Sequence, residues 1–309
     1  MKKIIIAVCY SNLWVALQIA LFSFPFSKTF FSETQAGYYS ILVFLFSFLV
    51  YALLRRDALQ NKPDNRQQPQ LHWIYSNRNF LLAASLAALV CILIFLFWLF
   101  PFRFILFWLL ILPLLVFYNR IFEQKVSIKP SLRKMGPVKP LVITICVVFI
   151  AYYVPLLNGI CFFDKEFSFL KVSIEGLALF FFVLALVLPF DIRDMEYDRN
   201  AGVKTIPLIL GARKTRVFCM LLLLFYALLY TIIGLLELNS FSNIWPHFIT
   251  AIAGVALFAD KDLTQESWEY LFWVDGLLGL PAFLLLARGY SQVCDVVFHA
   301  ILTKTLKYL

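Results

Sequence analysis

The chain has 309 residues, of which 62% are hydrophobic and 15% charged, and its formal net charge is +9. Soluble domains carry far more charge, so an ordinary soluble fold is excluded. Apolar runs recur at the length needed to cross a bilayer, and the composition reads as a multi-pass membrane protein.

In chain order the predicted spans are 4–26, 37–54, 80–100, 104–118, 140–157, 172–190, 217–236, 243–259 and 268–287. They predict an all-α, multi-pass transmembrane bundle of nine helices, continuous over 1–309 as a single domain. The first span begins with Lys2-Lys3 and an apolar run, as a secretory signal does. Ser11 and Asn12 interrupt that run and no small-residue cleavage site follows, so it is read as an uncleaved span. Asn12 and Gln18 within it are costly in lipid and are expected to face the bundle interior, lining a pocket or bonding to neighbouring helices. Pro25, Pro113, Pro155, Pro189 and Pro246 are expected to kink helices or loosen their ends.

With the N-terminus in the cytoplasm, 20 of the 27 Lys and Arg residues fall in cytoplasmic segments. The positive-inside rule therefore predicts an integral protein with its N-terminus inside and its C-terminus outside, in a plasma membrane of bacterial type. Segments 55–78, 119–139 and 191–216 then lie on the cytoplasmic side, where they attract anionic lipid headgroups. Membrane lipid is thus an expected partner and nucleic acid is not, because the basic residues sit in short loops between spans. The stretch 55–78, rich in Asn, Gln and Pro, reads as a loop. The six cysteines form no C-x-x-C pair and read as free buried thiols. His72, His247 and His299 are scattered, which leaves a zinc site unsupported.

The most informative stretch is Asp191-Ile-Arg193-Asp194-Met-Glu-Tyr-Asp198-Arg199-Asn-Ala-Gly202-Val-Lys204-Thr-Ile-Pro207, where an apolar span meets a basic loop. If the helix of 172–190 runs on for two turns, Asp191, Asp194 and Asp198 share one face within an arc of about 60°. Crowded carboxylates repel unless a cation compensates, and hard oxygen ligands suit Mg²⁺ shared with a phosphorylated substrate. Arg193, Arg199 and Lys204 beside them are candidates to hold phosphate oxygens, or else simply pair with the aspartates. Pro189, just ahead, either reorients the carboxylate-bearing turn or only bends the helix.

This run closely resembles the second aspartate-rich motif of the UbiA superfamily of intramembrane prenyltransferases, in which D-x-x-D-x-x-x-D is followed by a Gly and a K/R-T-x-P turn. The resemblance implies a nine-helix UbiA-like fold, Mg²⁺ held by Asp191, Asp194 and Asp198 as catalytic metal ligands, and a diphosphate clamped by Lys204. The superfamily's first motif, N-D-x-x-D-x-x-x-D, belongs at the end of the second span. There Tyr51 replaces the Asn, and Ala52, Arg55 and Leu59 replace the three Asps; Asp57 is out of register. Arg55 and Arg56 either contact diphosphate directly, in place of a second metal, or anchor the span end to headgroups. Arg133, Lys134 and Lys139 resemble a basic pattern of divergent bacterial members, which implies Lys139 closing the cavity on phosphate, while Arg133 and Lys134 read rather as headgroup anchors.

Function follows as an expectation from that resemblance: Mg²⁺-dependent transfer of an isoprenoid group from a prenyl diphosphate to a lipophilic, aromatic acceptor. Diphosphate contacts are assigned to Lys204, Arg199, Arg55 and Lys139. The alternative is a non-catalytic polyprenyl-lipid binder that keeps the fold with half of the site. A CDP-alcohol phosphotransferase fits less well, since its D-G-x-x-A-R element is missing around these aspartates.

Overall fold

The computed structural model describes residues 2–55, 60, 69–98, 108, 136–163, 168–200, 202–236, 241–259 and 268–305. The described residues form helices throughout: α1 (Lys2–Tyr10), α2 (Leu13–Phe30), α3 (Glu33–Leu54), α4 (Pro69–Ser76), α5 (Arg78–Trp98), α6 (Val138–Val148), α7 (Val154–Phe163), α8 (Phe169–Arg193), α9 (Met195–Asn200), α10 (Ile206–Leu210), α11 (Ala212–Leu236), α12 (Phe241–Ala259) and α13 (Trp268–Thr305). Seven stretches are long and apolar enough to cross a membrane, and Ile244–Ala259 of α12 is a shorter apolar helix. The predicted span 104–118 lies outside the described residues, Trp108 excepted.

The first span departs from expectation. Instead of one helix over 4–26, the chain breaks between α1 and α2, with Asn12 in the left-handed region at φ 65°. The carboxamide side chain tolerates that conformation better than most. Segment 55–78 is likewise not all loop, because Pro69 opens α4 and fixes its first turn. Between α2 and α3 the reversal is short and well capped. Ser32 Oγ accepts from the Gln35 N–H at 3.3 Å while Gln35 Oε1 accepts from the Ser32 N–H at 3.4 Å, a reciprocal capping box.

A π-helical turn, Phe149–Tyr153, joins α6 to α7 immediately before Pro155. Pro155 has no N–H for the carbonyl four residues back, and the wider turn accommodates its ring. Tyr39 Oη of α3 donates to the Ile150 carbonyl within that turn.

Helix packing closes a ring: α2 rests on α13, α13 on α12, α12 on α11, α11 on α8 and α8 on α6, and the π turn returns to α2. Helix α3 packs outside α2, and α5 packs on α3. The outer faces are apolar; the α5 window has a mean hydropathy of 3.0 with only 17% of it buried, as a lipid-facing helix requires. Inside the ring, Phe182 of α8 stacks on Tyr226 of α11 with centroids 4.6 Å apart. Gly254 of α12 lets α11 approach closely, since a Cβ there would stand 2.6 Å from Leu223 Cδ1. Gly37 of α3 faces open space instead.

Gly254→Val is therefore expected to destabilise the bundle by about 1–3 kcal/mol through overpacking. Gly37→Ala should be neutral or gain up to about 1 kcal/mol from helix propensity. Thermal midpoints of the two variants in one detergent, against wild type, check the contrast.

Candidate active site

The C-terminal end of α8 brings its carboxylates to the mouth of a cavity of ≈ 230 Å³ inside the ring. The mouth is completed by Lys139 at the start of α6, Arg55 at the end of α3, Gln70 on α4 and Asn12 at the α1–α2 break. Deeper walls are apolar, formed by residues such as Val15, Ile19, Val183, Leu186 and Leu278. Five separate segments thus converge on one polar rim above a greasy interior.

Asp191 is only 1% exposed. Lys139 Nζ reaches its Oδ1 at 3.3 Å, whereas Asp191 Oδ2 is buried with no hydrogen-bond partner. Asp194 is held differently. Arg193 donates through Nε to Oδ1 at 2.8 Å and through Nη2 to Oδ2 at 3.4 Å. Burial opposes ionisation of Asp194, but Arg193 in first place, then Lys139 and Arg55, outweigh it and hold the carboxyl down at about 2. Arg193 also lies over the Phe190 ring, 5.3 Å from its centroid.

The expected continuous helix through Asp198 does not form. α8 ends at Arg193, Asp194 is its C-cap at φ −88°, ψ 4°, and Asp198 sits on the separate short helix α9. Backbone bonds from Asp194 N to Phe190 O and from Asp198 N to Asp194 O carry across the kink, so the chain bends without losing its pairing. Asp198 is buried but does not line the cavity. Gly202, at φ 69°, then ends α9. Its N–H bonds to the Arg199 carbonyl and the Val203 N–H to the Asp198 carbonyl, a Schellman arrangement that needs a left-handed residue.

Of the expected diphosphate contacts, Lys139 and Arg55 line the cavity, and Arg55 Nη2 donates to Gln70 Oε1 at 3.4 Å. Arg199 at the end of α9 and Lys204 on the following loop are exposed and do not line it. The Lys204 carbonyl instead packs against Gly136, at the turn leading into Lys139. Arg56, Asp57, Arg133 and Lys134 lie outside the described residues.

Among the described residues, no group of three His, Cys, Asp or Glu side chains stands close enough to hold a metal ion by protein ligands alone. Mg²⁺ needs fewer, since it takes one or two carboxylates and fills its shell with substrate phosphates and water. Asp191, with an uncommitted buried oxygen, and Asp194 on the same wall fit that demand.

Two lining residues escaped the sequence reading. Gln70 was hidden by its position in a stretch that reads as loop. Asp275 had a plain signal: with Glu269 in the first turn, it is the one carboxylate deeper inside the apolar span 268–287, which by itself marks a functional candidate. Asn12 and Gln18 are interior, as expected, at 7% and 4% exposure. Gln70 Nε2 donates to Asn12 Oδ1 at 3.3 Å.

Comparison with known proteins gives a consistent assignment. A sequence profile described as the UbiA prenyltransferase family matches residues 74–274. No curated protein matches the sequence. Among solved structures, a UbiA homologue from Aeropyrum pernix K1 in its apo form is similar with a TM-score of 0.58 at 16% identity, over 89% of this chain and 98% of that one. A digeranylgeranylglyceryl phosphate synthase is similar with a TM-score of 0.52 at 16% identity, over 92% of this chain and 98% of that one. The chain belongs to the UbiA prenyltransferase family, whose general activity is prenyl transfer within the membrane.

Proposed function

We propose that this protein, as one domain over residues 1–309, transfers an isoprenoid group from a prenyl diphosphate to a lipophilic, aromatic acceptor in a Mg²⁺-dependent reaction. The supporting observation is the rim on which Asp191, Asp194, Lys139, Arg55 and Arg193 meet above an apolar cavity. Diphosphate docks at this rim and the prenyl chain lies below it. Mg²⁺, when bound, neutralises charge that develops on the leaving diphosphate.

The chain's own residues do the rest. Asp191 offers its free Oδ2 to the metal, and Arg193 keeps Asp194 ionised and oriented beside it. Lys139 and Arg55 donate to phosphate oxygens, with Arg55 supplying from the α3 end a direct contact where the family has carboxylates. The exposed Arg199 and Lys204 steer the anionic head group toward the rim. The apolar walls keep water from the allylic cation. We place the N-terminus and the rim on the cytoplasmic side of a bacterial-type plasma membrane, following the basic-residue distribution.

The direct test is purified protein in lipid with Mg²⁺ and prenyl diphosphates of increasing length, measuring diphosphate release with and without extracted lipophilic acceptors. Acceptor-dependent release is expected. Tight binding with no release from any donor would favour the non-catalytic lipid binder.

Asp191→Asn is expected to lower Mg²⁺-dependent donor affinity by at least about tenfold while the protein stays folded, because Lys139 is 30% exposed and can turn to water. Asp194→Asn should cost stability as well, on the order of 3–5 kcal/mol, since it strands a buried Arg193. Calorimetry at matched Mg²⁺ and thermal unfolding separate the two effects. Arg55→Ala should lower diphosphate affinity about tenfold to a hundredfold, the worth of one charge-assisted contact, and Arg56→Ala by less.

The pH dependence has a defined sign. Asp194 titrates below its unfolded value of 3.8, so its stabilising contribution is complete above that pH and is lost as pH falls from 3.8 through about 2. The gap in thermal midpoint between wild type and Asp194→Asn should stay constant above pH 5 and narrow toward pH 2.

A further inference from the structure

The transferase reading leaves one proton without a destination. When a hydroxylated aromatic acceptor forms a bond to the prenyl group, it must lose a proton, and the rim carboxylates are committed to Lys139, Arg193 and the metal. Asp275 is the remaining carboxylate among the residues that line the cavity.

Its position suits the task. Trp14 Nε1 donates to the Phe272 carbonyl at 2.9 Å and the Trp14 ring lies against Gly276, while Gln18 lies against Gly279. Helices α2 and α13 therefore run parallel and in register, which sets Asp275 level with residues 14–17 of α2. That is about one turn, roughly 5 Å, inside the rim marked by the Asn12–Gln70–Arg55 contacts. Val15, Val274 and Leu278, which line the same cavity, are apolar.

Asp275 is also uncommitted. Among the described residues it makes no hydrogen bond and no ion pair, and only longer-range electrostatic contact with Arg193 and Cys9 is present. A carboxylate held inside an apolar span without a partner is costly, and a cavity ligand that donates a hydrogen bond relieves that cost.

We propose that Asp275 is the acceptor-side catalytic base: it accepts a hydrogen bond from the hydroxyl of a phenolic acceptor and takes the proton as transfer occurs. This rests on the transferase reading above. The C1–O bond of the donor breaks and its electron pair leaves on diphosphate. The acceptor, attacking through its oxygen or through the conjugated ring carbon, forms the new bond to C1. One proton per turnover ends on an Asp275 oxygen and passes to water when the product leaves.

The test uses the full-length protein in lipid vesicles with Mg²⁺, farnesyl diphosphate and a series of para-substituted phenols of graded acidity. Donor binding and product formation are measured for wild type, Asp275→Asn and Asp275→Glu. Asp275→Asn should bind donor as wild type does and transfer about 10²–10⁴-fold more slowly to an ordinary phenol. Its deficit should shrink steadily as the phenol becomes more acidic, because a phenolate needs no base, and Asp275→Glu should recover part of the rate. A purely structural role would give the same loss with every phenol. That outcome overturns the proposal, as would an undiminished rate in Asp275→Asn or a wild type that cleaves donor yet transfers to no phenol. Failure of wild type to bind or cleave donor at all would instead sink the transferase reading, and this one with it.

Discussion

Charge buried in an apolar bundle has no water to solvate it, and this constraint organises the rim of the cavity. Arg193 is 7% exposed at its side chain, a position that an unpaired guanidinium would not occupy. Its partner is the next residue in the chain, so the pair forms without any search across the fold. The same contact keeps Asp194 ionised in surroundings that would otherwise neutralise it. Lys139 answers Asp191 from another helix, and that pair ties the start of α6 to the end of α8.

Those two pairs also depend on how the neighbouring helices are held. Tyr270 Oη of α13 donates to the Pro189 carbonyl at 2.8 Å, fixing the height of α13 against the end of α8. The π turn lets the α6–α7 rod pass Pro155 and still pack on α2, which closes the ring around the cavity. Without that closure the apolar walls would open to lipid. The carboxylates would then face a medium that tolerates them even less.

The fold was legible because lipid imposes a harsh rule: spans must be apolar for about 20 residues, and the sequence declares them. The break at Asn12 and the kink at Asp194 were not legible. Each turns on a single backbone angle, φ at Asn12 and ψ at Asp194, that residue spacing does not encode. Regular helical geometry put Asp198 on the arc of Asp191, whereas the helix is interrupted at Asp194 and Asp198 does not line the cavity. Lys139, singled out by a pattern, lines the cavity, while Lys204, equally basic and closer in sequence to the aspartates, is exposed on its loop and does not line it. Asp275 carried the strongest unread signal. A motif with familiar spacing drew attention away from a lone residue whose cost in lipid is the more direct physical clue.

The replacement of the first aspartate-rich motif then has an electrostatic logic. Arg55, Lys139 and Arg193 line the cavity together with Asp191, Asp194 and Asp275, three basic groups to three carboxyl groups. A second carboxylate cluster at the α3 end would make that wall strongly negative and would require further divalent ions before a diphosphate could approach. With Arg55 there, held by Gln70 and through it by Asn12, the proposed site needs one divalent ion at the α8 end to make the rim attractive to a phosphorylated head group. On the proposed reading, the departure at Tyr51, Ala52 and Arg55 exchanges metal-mediated contact for direct contact and alters how many ions the site requires rather than what the site holds.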